Sequence, residues 1–312
     1  MSKDFPLVSV IVITYNSSDT ITETLNSVKE QDYANIELIV SDDSSKDSTV
    51  NIVKEWLKNN ADRFVRANLV ESPVNTGVAP NINRGIRKGA GKWIKVLSGD
   101  DRLLPYSIEE YVKYVQQNPS CNICFGKLHF FGNDFHYVDE QKAVYEHTFY
   151  PYIKADYNIQ WRRIQETLFV PGPGLFYKKE LWSKVGGFDE HFPFAEEYPF
   201  TYNVLECGER IYFLDKEVYA YQIREGSLCR DKLGMNKRVF SSQFSYIKKK
   251  HIFKLLKHGY FFLAIHLLIR YFRVSLLYNN VPIFIYKTSF LLYIFSPYTI
   301  IHKIFPGRER QN

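Results

Sequence analysis

The chain has 312 residues, enough for one large domain and a smaller appendage. Hydrophobic residues make up 45% of the chain and charged residues 24%, which excludes a disordered or fibrous protein. The net charge of +6 comes from the C-terminal part, because residues 246–312 hold 11 Lys and Arg against the single acid Glu309, whereas residues 1–245 are net acidic. The net-acidic part makes nucleic acid a poor candidate for a partner.

Short apolar runs alternate with helical patterns through the first third of the chain. Residues 7–14 are a β-branched run that predicts a strand, and residues 20–28 place apolar side chains at helical spacing behind a capping box of Thr20 and Glu23. The alternation continues with strands at 36–40, 64–70 and 93–97, a helix capped by Asp47 and a helix at 78–88. This order indicates an α/β fold with a mostly parallel sheet and helices on both faces.

The next part of the chain is less regular. We expect a helix at 107–117 and a strand at 121–131, whereas residues 132–170 are rich in Tyr and His without a clear period and receive no assignment. The four cysteines are interpreted as buried thiols in a reducing compartment. The apolar run at 8–13 is too short for a signal peptide, so we expect the N-terminal part to stay in the cytoplasm.

Polar residues follow three of the predicted strands, where an α/β sheet binds its ligands. They lie at 14–16, 42–45 and 98–101. Taken alone, Asp42 and Asp43 are most often turn residues, but a carboxylate at the end of a parallel strand also accepts hydrogen bonds from a ribose hydroxyl or a base N–H. The chain has neither the glycine-rich dinucleotide fingerprint nor a P-loop lysine motif, which excludes those two nucleotide-binding classes.

Two further acid pairs carry chemical meaning. Asp100 and Asp101 suit a hard cation such as Mg²⁺ or Mn²⁺ that takes its other ligands from phosphate and water, although a solvated turn closed by Pro105 explains the pair equally well. Glu196 and Glu197 open a predicted helix, where carboxylates ordinarily stabilise the helix dipole. Transfer to a hydroxyl needs a base near the incoming oxygen and a cation on the leaving group, and the two pairs offer one of each.

The chain resembles glycosyltransferase family 2, whose members have the GT-A fold, in six short stretches that occur in the family's order. They lie at 8–16, 40–45, 75–79, 95–101, 185–190 and 195–198. The resemblance extends over roughly residues 7–230 and implies a GT-A catalytic domain, which we assign to residues 1–245. Residues 246–312 are then a basic, aromatic-rich, helical C-terminal region.

The resemblance also implies roles for single residues. The nucleoside site would be lined by Thr14, Asn16, Asp42 and Asp43. The diphosphate would be bound by Asp100 and Asp101 together with Mn²⁺ or Mg²⁺. The acceptor hydroxyl would be deprotonated by Glu197, with Glu196 as its neighbour in the pair. The late loop that closes over the diphosphate would contain Arg224 and Ser227.

Three positions depart from the family's usual residues. Ser98 stands where the metal-binding motif usually begins with aspartate, Glu197 stands where the base is more often aspartate, and Arg224 replaces a frequent histidine. The first departure leaves fewer contacts for a metal ion or a ribose, yet acidic and basic side chains remain at the positions where the reaction needs them. The expected site therefore keeps its catalytic interpretation.

The C-terminal region predicts contact with a membrane. Lys250, Lys254 and Lys257 share one helical face, as in a helix bound at a membrane surface. Residues 281–301 carry a single charge, Lys287, and are long enough to span a bilayer, although Pro282 and many polar aromatics fit an interfacial or re-entrant position as well. A helical cap packed on the catalytic domain is the third alternative. We favour attachment to anionic lipid on the inner face of the cell membrane.

Together these features predict an inverting glycosyltransferase that uses a nucleotide-sugar donor, expected to be a UDP-sugar. The acceptor would be a lipid-linked glycan in surface polysaccharide biosynthesis, as for a lipopolysaccharide O-antigen or a capsule. One alternative is a membrane-associated sugar-nucleotide-binding protein with impaired catalysis, suggested by Ser98. A nucleotidyltransferase is a weaker alternative, since it would need a glycine-rich basic loop where Thr14 to Asn16 stand.

Overall fold

The computed structural model describes residues 5–132, 135–167, 170–223, 237–278 and 296–299. The chain divides into two compact units, Met1–Ser227 and Leu228–Asn312, and each is described by itself. This division lies earlier in the chain than residue 245. The assignment of residues 1–245 to a catalytic domain and of 246–312 to a membrane-associating region stays a prediction.

A mixed sheet forms the centre of the first unit. Its eight strands are β1 (Val8–Thr14), β2 (Ile36–Asp42), β3 (Arg66–Glu71), β4 (Trp93–Ser98), β5 (Arg102–Leu103), β6 (Ile123–Gly132), β7 (Leu175–Lys178) and β8 (Tyr212–Ile223). They are arranged in the order β3-β2-β1-β4-β7-β6-β8-β5. β3, β2, β1 and β4 are parallel, β7 is antiparallel to both β4 and β6, β8 is parallel to β6, and β5 is antiparallel to β8.

Helices cover both faces of this sheet, as the α/β prediction requires. Those of the first unit are α1 (Ile21–Lys29), α2 (Thr49–Asn60), α3 (Val78–Lys88), α4 (Ser107–Gln117), α5 (Phe135–Val144), α6 (Tyr150–Lys154), α7 (Tyr157–Gln165), α8 (Lys179–Lys184) and α9 (Glu197–Glu206). A 3₁₀ turn follows α2 at Ala61–Arg63, and a π-helical turn joins α5 to α6 at Tyr145–Phe149. The helices predicted at 78–88 and 107–117 are confirmed at those bounds.

The core lies around β1, β2 and β4, whose side chains are almost all buried. Continuous burial is the reason that these strands are mostly apolar in the sequence, with a few buried polar residues such as Ser9, Glu37 and Lys95. α3 packs closely on β1 because Gly85 faces Ile11, and a Cβ atom at position 85 would collide with that side chain. The close approach fixes the distance between α3 and β1.

The capping box predicted at the start of α1 is wrong. Thr20 makes no side-chain hydrogen bond to the helix N-terminus. Its hydroxyl instead donates to the carbonyl oxygen of Gly99, 2.7 Å away, in the loop after β4. A long-range bond to a loop of the site has replaced the local one.

Residues 132–170, which the sequence left unassigned, contain α5 to α7. Gln160, buried in α7, holds this part against the sheet: its amide nitrogen donates to the carbonyls of Ile153 and Ile211, each at 2.8 Å. Asp156 caps α7 by accepting a hydrogen bond from the amide of Ile159. The π-helical turn shifts the register of the helical side chains, which explains why no single period is visible in the sequence.

The cysteine prediction holds only in part. Cys121 and Cys124 are buried free thiols, but Cys207 is exposed. Cys207 follows the last residue of α9, where the chain turns at the surface. Cys229 lies outside the described residues.

The second unit contains helices α10 (Lys237–Tyr246), α11 (Ile252–Lys257) and α12 (Phe261–Tyr278), with a π-helical turn at Ile247–His251. α11 and α12 pack through Leu255, Leu263, Ala264 and Leu267. Within the described part of the chain, no helix has both the length and the apolar character needed to cross a membrane. Of the stretch 281–301, for which a span was one alternative, only residues 296–299 are described.

Candidate functional site

The site begins where β1 and β2 end. Thr14 is buried, and among the described residues its hydroxyl has no hydrogen-bond partner. Asn16 has a left-handed backbone with a φ of 52°. Its N–H donates to Ser45 Oγ at 2.9 Å, and its side-chain oxygen accepts from the amide of Lys46 at 2.8 Å. Asn16 thereby joins the loops after β1 and β2.

Asp42 is the last residue of β2, and its side chain contacts the loop that follows this strand. Its two carboxylate oxygens accept hydrogen bonds from the amide of Ser45 at 2.9 Å and from the Ser45 hydroxyl at 2.5 Å. This Asx-type arrangement stabilises the turn that follows the strand. The orientation of Asn16 therefore depends on Asp42, because Ser45 contacts both residues.

Asp43 holds a different loop. Its carboxylate accepts from the Thr76 amide at 2.9 Å, the Thr76 hydroxyl at 2.6 Å and the Gly77 amide at 2.7 Å. Arg84, on α3, pairs with the same carboxylate at 3.1 Å and donates to the Thr76 hydroxyl at 2.7 Å. Asp43 thus fastens the segment before α3 to the end of β2.

The acid pair after β4 is held by α1. The amide of Gly99 donates to the carbonyl of Ile13 at 2.8 Å, which brings the end of β4 against the end of β1. Thr24 donates its hydroxyl to the carbonyl of Asp101 at 2.8 Å. These bonds place Asp100 and Asp101 at the switch between β1 and β4, the position at which an α/β sheet binds its ligand.

The members of this pair have different surroundings. Asp101 is 3% exposed, and its carboxylate accepts from the Tyr219 hydroxyl and from the Gln222 amide, both at 2.7 Å. Burial raises the pKa of Asp101 to about 8, and the neighbouring charge of Asp100 adds to the effect. Asp100 is only partly buried. Asp101 is therefore committed to protein partners, and Asp100 is the more accessible acid.

Glu196 and Glu197 lie where α9 begins, and Glu197 faces the loop before β7. Glu197 Oε1 accepts a hydrogen bond from the amide of Gly172 at 2.6 Å. β7 is antiparallel to β4, so β7 begins at the edge where β4 ends. Glu197 consequently lies at the same edge of the sheet as the pair at Asp100.

Both glutamates are weaker acids than usual. Burial raises the pKa of Glu197 from 4.5 to about 7, which the hydrogen bond from Gly172 only partly offsets. Burial, and then the charge of Glu197, raise the pKa of Glu196 to about 8. A carboxylate that takes up a proton near pH 7 is suited to general base catalysis, because proton affinity and availability are balanced there.

The described part of the site offers few ligands for a divalent cation. The described residues contain no group of three or more His, Cys, Asp or Glu side chains that could hold a metal ion. A partly buried aspartate fits a Mg²⁺ or Mn²⁺ ion that takes its other ligands from a diphosphate and water. Arg224 and Ser227, predicted to close over the diphosphate, lie outside the described residues.

Four residues that sequence reasoning missed support this edge of the sheet: Arg84, Lys95, Gly172 and Tyr219. Lys95 was detectable, since a single lysine interrupts the apolar run of β4. Arg84 and Tyr219 act through contacts between segments far apart in sequence, which no local pattern reveals. Gly172 contributes its backbone amide, a group that nearly every residue has, so the residue type does not reveal the contact.

The fold and site define a class of protein. A parallel half-sheet with polar strand ends, an accessible aspartate and a glutamate of raised pKa across the same edge is typical of an α/β protein that binds a nucleotide beside a reacting group.

The chain belongs to the family described as glycosyl transferase family 2, whose model matches residues 9–185. It is 27% identical to the uncharacterized glycosyltransferase EpsJ of Bacillus subtilis over 72% of this chain and 63% of EpsJ. It is 28% identical to the succinoglycan biosynthesis protein ExoO of Rhizobium meliloti, over 72% of this chain and 63% of ExoO. The match thus spans a little under two thirds of the length of either relative.

Solved structures confirm the GT-A fold. The structure of residues 1–349 of S. aureus TarS in complex with UDP-GlcNAc superposes with a TM-score of 0.56 and 21% sequence identity. The superposition covers 85% of this chain and 81% of that one. The same TarS fragment has also been solved in complex with UDP, with a TM-score of 0.55.

Proposed function

We propose that this protein is an inverting glycosyltransferase that moves a sugar from a nucleotide-sugar donor to a hydroxyl of an acceptor glycan. The observation that carries the proposal is the placement of Glu197. Its carboxylate has a pKa raised to about 7 and is held by the Gly172 amide at the sheet edge where β4 ends in the Asp100 pair. The same edge of the sheet thus offers an aspartate beside the leaving diphosphate and a base for the acceptor hydroxyl.

The donor's nucleoside would lie against the ends of β1 and β2. Thr14 has a buried hydroxyl that, among the described residues, is unpaired, and such a group is satisfied when a ligand brings a partner. Asp42 and Asp43 would act mainly by fixing the loops around the nucleoside, since their oxygens already accept several hydrogen bonds. Asn16 would hold the loop after β1 against the loop after β2.

The diphosphate would lie beside Asp100. We propose that Asp100 binds Mn²⁺ or Mg²⁺, which when bound neutralises charge on the leaving diphosphate. Asp101 would position Asp100 and the end of β8 through its bonds to Tyr219 and Gln222. Arg224 and Ser227, in the sequence directly after β8, keep their predicted role at the diphosphate.

Glu197 would accept the proton of the acceptor hydroxyl as that oxygen attacks the anomeric carbon. Attack from the side opposite the leaving nucleotide inverts the anomeric configuration, so an α-linked donor would give a β-glycoside. Glu196, its neighbour in the pair, would support the start of α9. A positioned base of this kind contributes roughly 10²- to 10⁴-fold to the rate.

The comparisons support finer proposals on the substrates. TarS was solved with UDP and UDP-GlcNAc, which supports a UDP-sugar as the donor here. ExoO is named for succinoglycan biosynthesis, which supports an acceptor in the synthesis of a surface polysaccharide, such as a lipopolysaccharide O-antigen or a capsule. We propose that this acceptor is lipid-linked.

A lipid-linked acceptor would require the enzyme to work at a membrane surface. Lys248, Lys249 and Lys250 are exposed, and they precede Phe253, which is 70% exposed on α11. Cations beside exposed aromatics attract an anionic lipid surface. We propose peripheral attachment of the second unit to the cytoplasmic face of the cell membrane.

The proposal is tested by incubating the full chain with a panel of nucleotide sugars and Mn²⁺, with and without a lipid-linked glycan extract. We expect one UDP-sugar to release UDP much faster when the acceptor is present, with a new glycoside in the product. Binding of the UDP-sugar without acceptor-dependent release would support the catalytically impaired binding protein instead. Release of pyrophosphate from a nucleoside triphosphate and a sugar phosphate would indicate a nucleotidyltransferase.

A further inference from the structure

Lys95 is a charged residue in the centre of the sheet. It lies on β4, its side chain is fully buried, and its ammonium group donates hydrogen bonds to the carbonyl oxygens of Pro173 and Leu175, the latter at 3.1 Å. The same group lies 4.6 Å from the centre of the Tyr219 ring and 5.3 Å from that of Tyr111. Burial lowers the pKa of Lys95 to about 7.

The carbonyls that Lys95 binds belong to the segment 172–175, which also receives other bonds. Tyr111 donates its hydroxyl to the carbonyl of Gly174 at 2.8 Å, and the amide of Gly126 donates to the same oxygen at 2.8 Å. Every carbonyl from Pro173 to Leu175 thus accepts a hydrogen bond from Lys95, Tyr111 or Gly126. The amide of Gly172, in the same segment, donates its hydrogen bond to Glu197.

On its other side Lys95 contacts the residue that holds Asp101. The Tyr219 ring that covers the ammonium group carries the hydroxyl that donates to Asp101. A single side chain therefore contacts two supports, one for the loop at Asp101 and one for the loop at Glu197.

Simple core packing does not account for a lysine at this position. A buried ammonium group costs free energy that a methionine of similar length would not cost. What the lysine adds is a cation and three N–H donors on a fixed stem. Two backbone carbonyls and two aromatic faces use these features.

We propose that Lys95 is a positioning residue for catalysis, which holds the segment 172–175 so that the Gly172 amide orients Glu197 relative to the donor side at Asp101. This inference rests on the proposed function. It assigns Lys95 no contact with either substrate. Loss of its ammonium group should therefore lower turnover and leave donor binding largely intact.

The test compares Lys95→Met, which keeps the length of the side chain, with Lys95→Gln, which keeps N–H donors. We expect kcat to fall about 10- to 100-fold in Lys95→Met, because small misplacements of a catalytic group have effects of this size. The donor KM should stay within about twofold, and hydrogen exchange should become faster at the amides of this segment, which are those of Gly172, Gly174 and Leu175. Lys95→Gln should recover part of both losses.

Ile94→Val is the matched control, since Ile94 is a fully buried neighbour on the same strand. It should lower the melting temperature without changing kcat or exchange at residues 172–175. If Lys95→Met does not fold, Tyr111→Phe weakens the same segment through Gly174 and should show the same pattern. Normal kcat in both Lys95 variants, or exchange at 172–175 equal to wild type, would overturn the proposal.

These readouts separate the two claims. A wild-type chain without any sugar transfer would overturn the proposed function, and hydrogen exchange would still decide whether Lys95 holds the segment. An active wild-type chain whose Lys95→Met variant lost only donor affinity would overturn the positioning role and keep the function.

Discussion

Asp100 and Asp101 are adjacent in sequence, but the burial of Asp101 gives them different expected roles. Asp101→Ala removes the acceptor of both the Tyr219 hydroxyl and the Gln222 amide. We expect it to lower the free energy of unfolding by about 1–3 kcal/mol, because a buried donor is left unsatisfied. Asp100→Ala should cost less stability and remove the part of UDP binding that depends on Mn²⁺.

Thermal denaturation and calorimetric titration of UDP, with Mn²⁺ or with a chelator, measure these two effects. The sequence alone assigned the metal to both residues. Unchanged Mn²⁺-dependent binding in Asp100→Ala, combined with its loss in a stably folded Asp101→Ala, would reverse the assignment.

The raised pKa values at Glu196 and Glu197 predict how turnover depends on pH. A base works in its deprotonated form, and burial raises the pKa of Glu197 to about 7, so activity should fall as the pH drops through 7. Burial is the largest cause of the raised pKa of Glu197, and the charge of Glu196 is not among its causes. The acid limb should therefore persist in Glu196→Gln.

The measurement is kcat against pH at saturating donor and acceptor, with stability of the enzyme checked at each pH. A limb near pH 4.5, the ordinary value for a glutamate side chain, would show that burial does not govern the base.

Helix α3 carries two arginines whose ion pairs differ in exposure to solvent. Arg84 pairs with Asp43, and the two side chains are 19% and 4% exposed, whereas the Arg87 and Glu190 side chains are 57% and 41% exposed. Arg84→Met leaves a buried carboxylate with fewer partners, so we expect a loss of about 1–3 kcal/mol in stability. Arg87→Met removes an exposed ion pair and should cost about 0–1 kcal/mol.

Arg84→Met should also weaken UDP binding, because the loop at Thr76 and Gly77 loses one of its anchors. Chemical denaturation and UDP titration of both variants measure the difference. Equal losses in Arg84→Met and Arg87→Met would mean that the contact between α3 and Asp43 does not support the site.

The sequence predicted the elements whose pattern is local. β1, β2 and β4 are mostly apolar runs, and α3 and α4 have regular helical spacing, so these elements were predicted close to their observed bounds. The roles of the polar residues after the strands stay predictions. Helices α5 to α7 were not predicted, because a π-helical turn interrupts the period of their side chains. The contacts of Gly172 with Glu197 depend on β7 lying antiparallel beside β4, a pairing that requires knowledge of the strand order.

Charge is unevenly distributed along the whole chain, which is net acidic over residues 1–245 and net basic over residues 246–312. The basic excess of residues 246–312 accompanies exposed aromatic side chains in the second unit, among them Phe253, Phe261 and Phe272. Lysines near an anionic lipid surface contribute about 1 kcal/mol each. Attraction of this kind is weakened by salt, because the charges are exposed.

We therefore expect the full chain to bind vesicles of anionic lipid and to be released by salt. Replacing Lys248, Lys249 and Lys250 by Gln should weaken binding roughly 100-fold, from about 1 kcal/mol for each lysine. The control replaces three exposed lysines of the first unit: Lys58, Lys88 and Lys92. Equal weakening by both triple variants in a vesicle sedimentation assay would contradict attachment through the second unit.

The central claim is that Glu197 accepts the proton of the acceptor hydroxyl during sugar transfer. Glu197→Gln keeps the shape of the side chain and can still accept a hydrogen bond from Gly172, but it cannot take the proton. Turnover with the UDP-sugar and its acceptor should fall by about 10²- to 10⁴-fold while donor affinity is nearly unchanged. Glu196→Gln should cost much less. Near-normal turnover in Glu197→Gln would contradict the claim and require another carboxylate as the base.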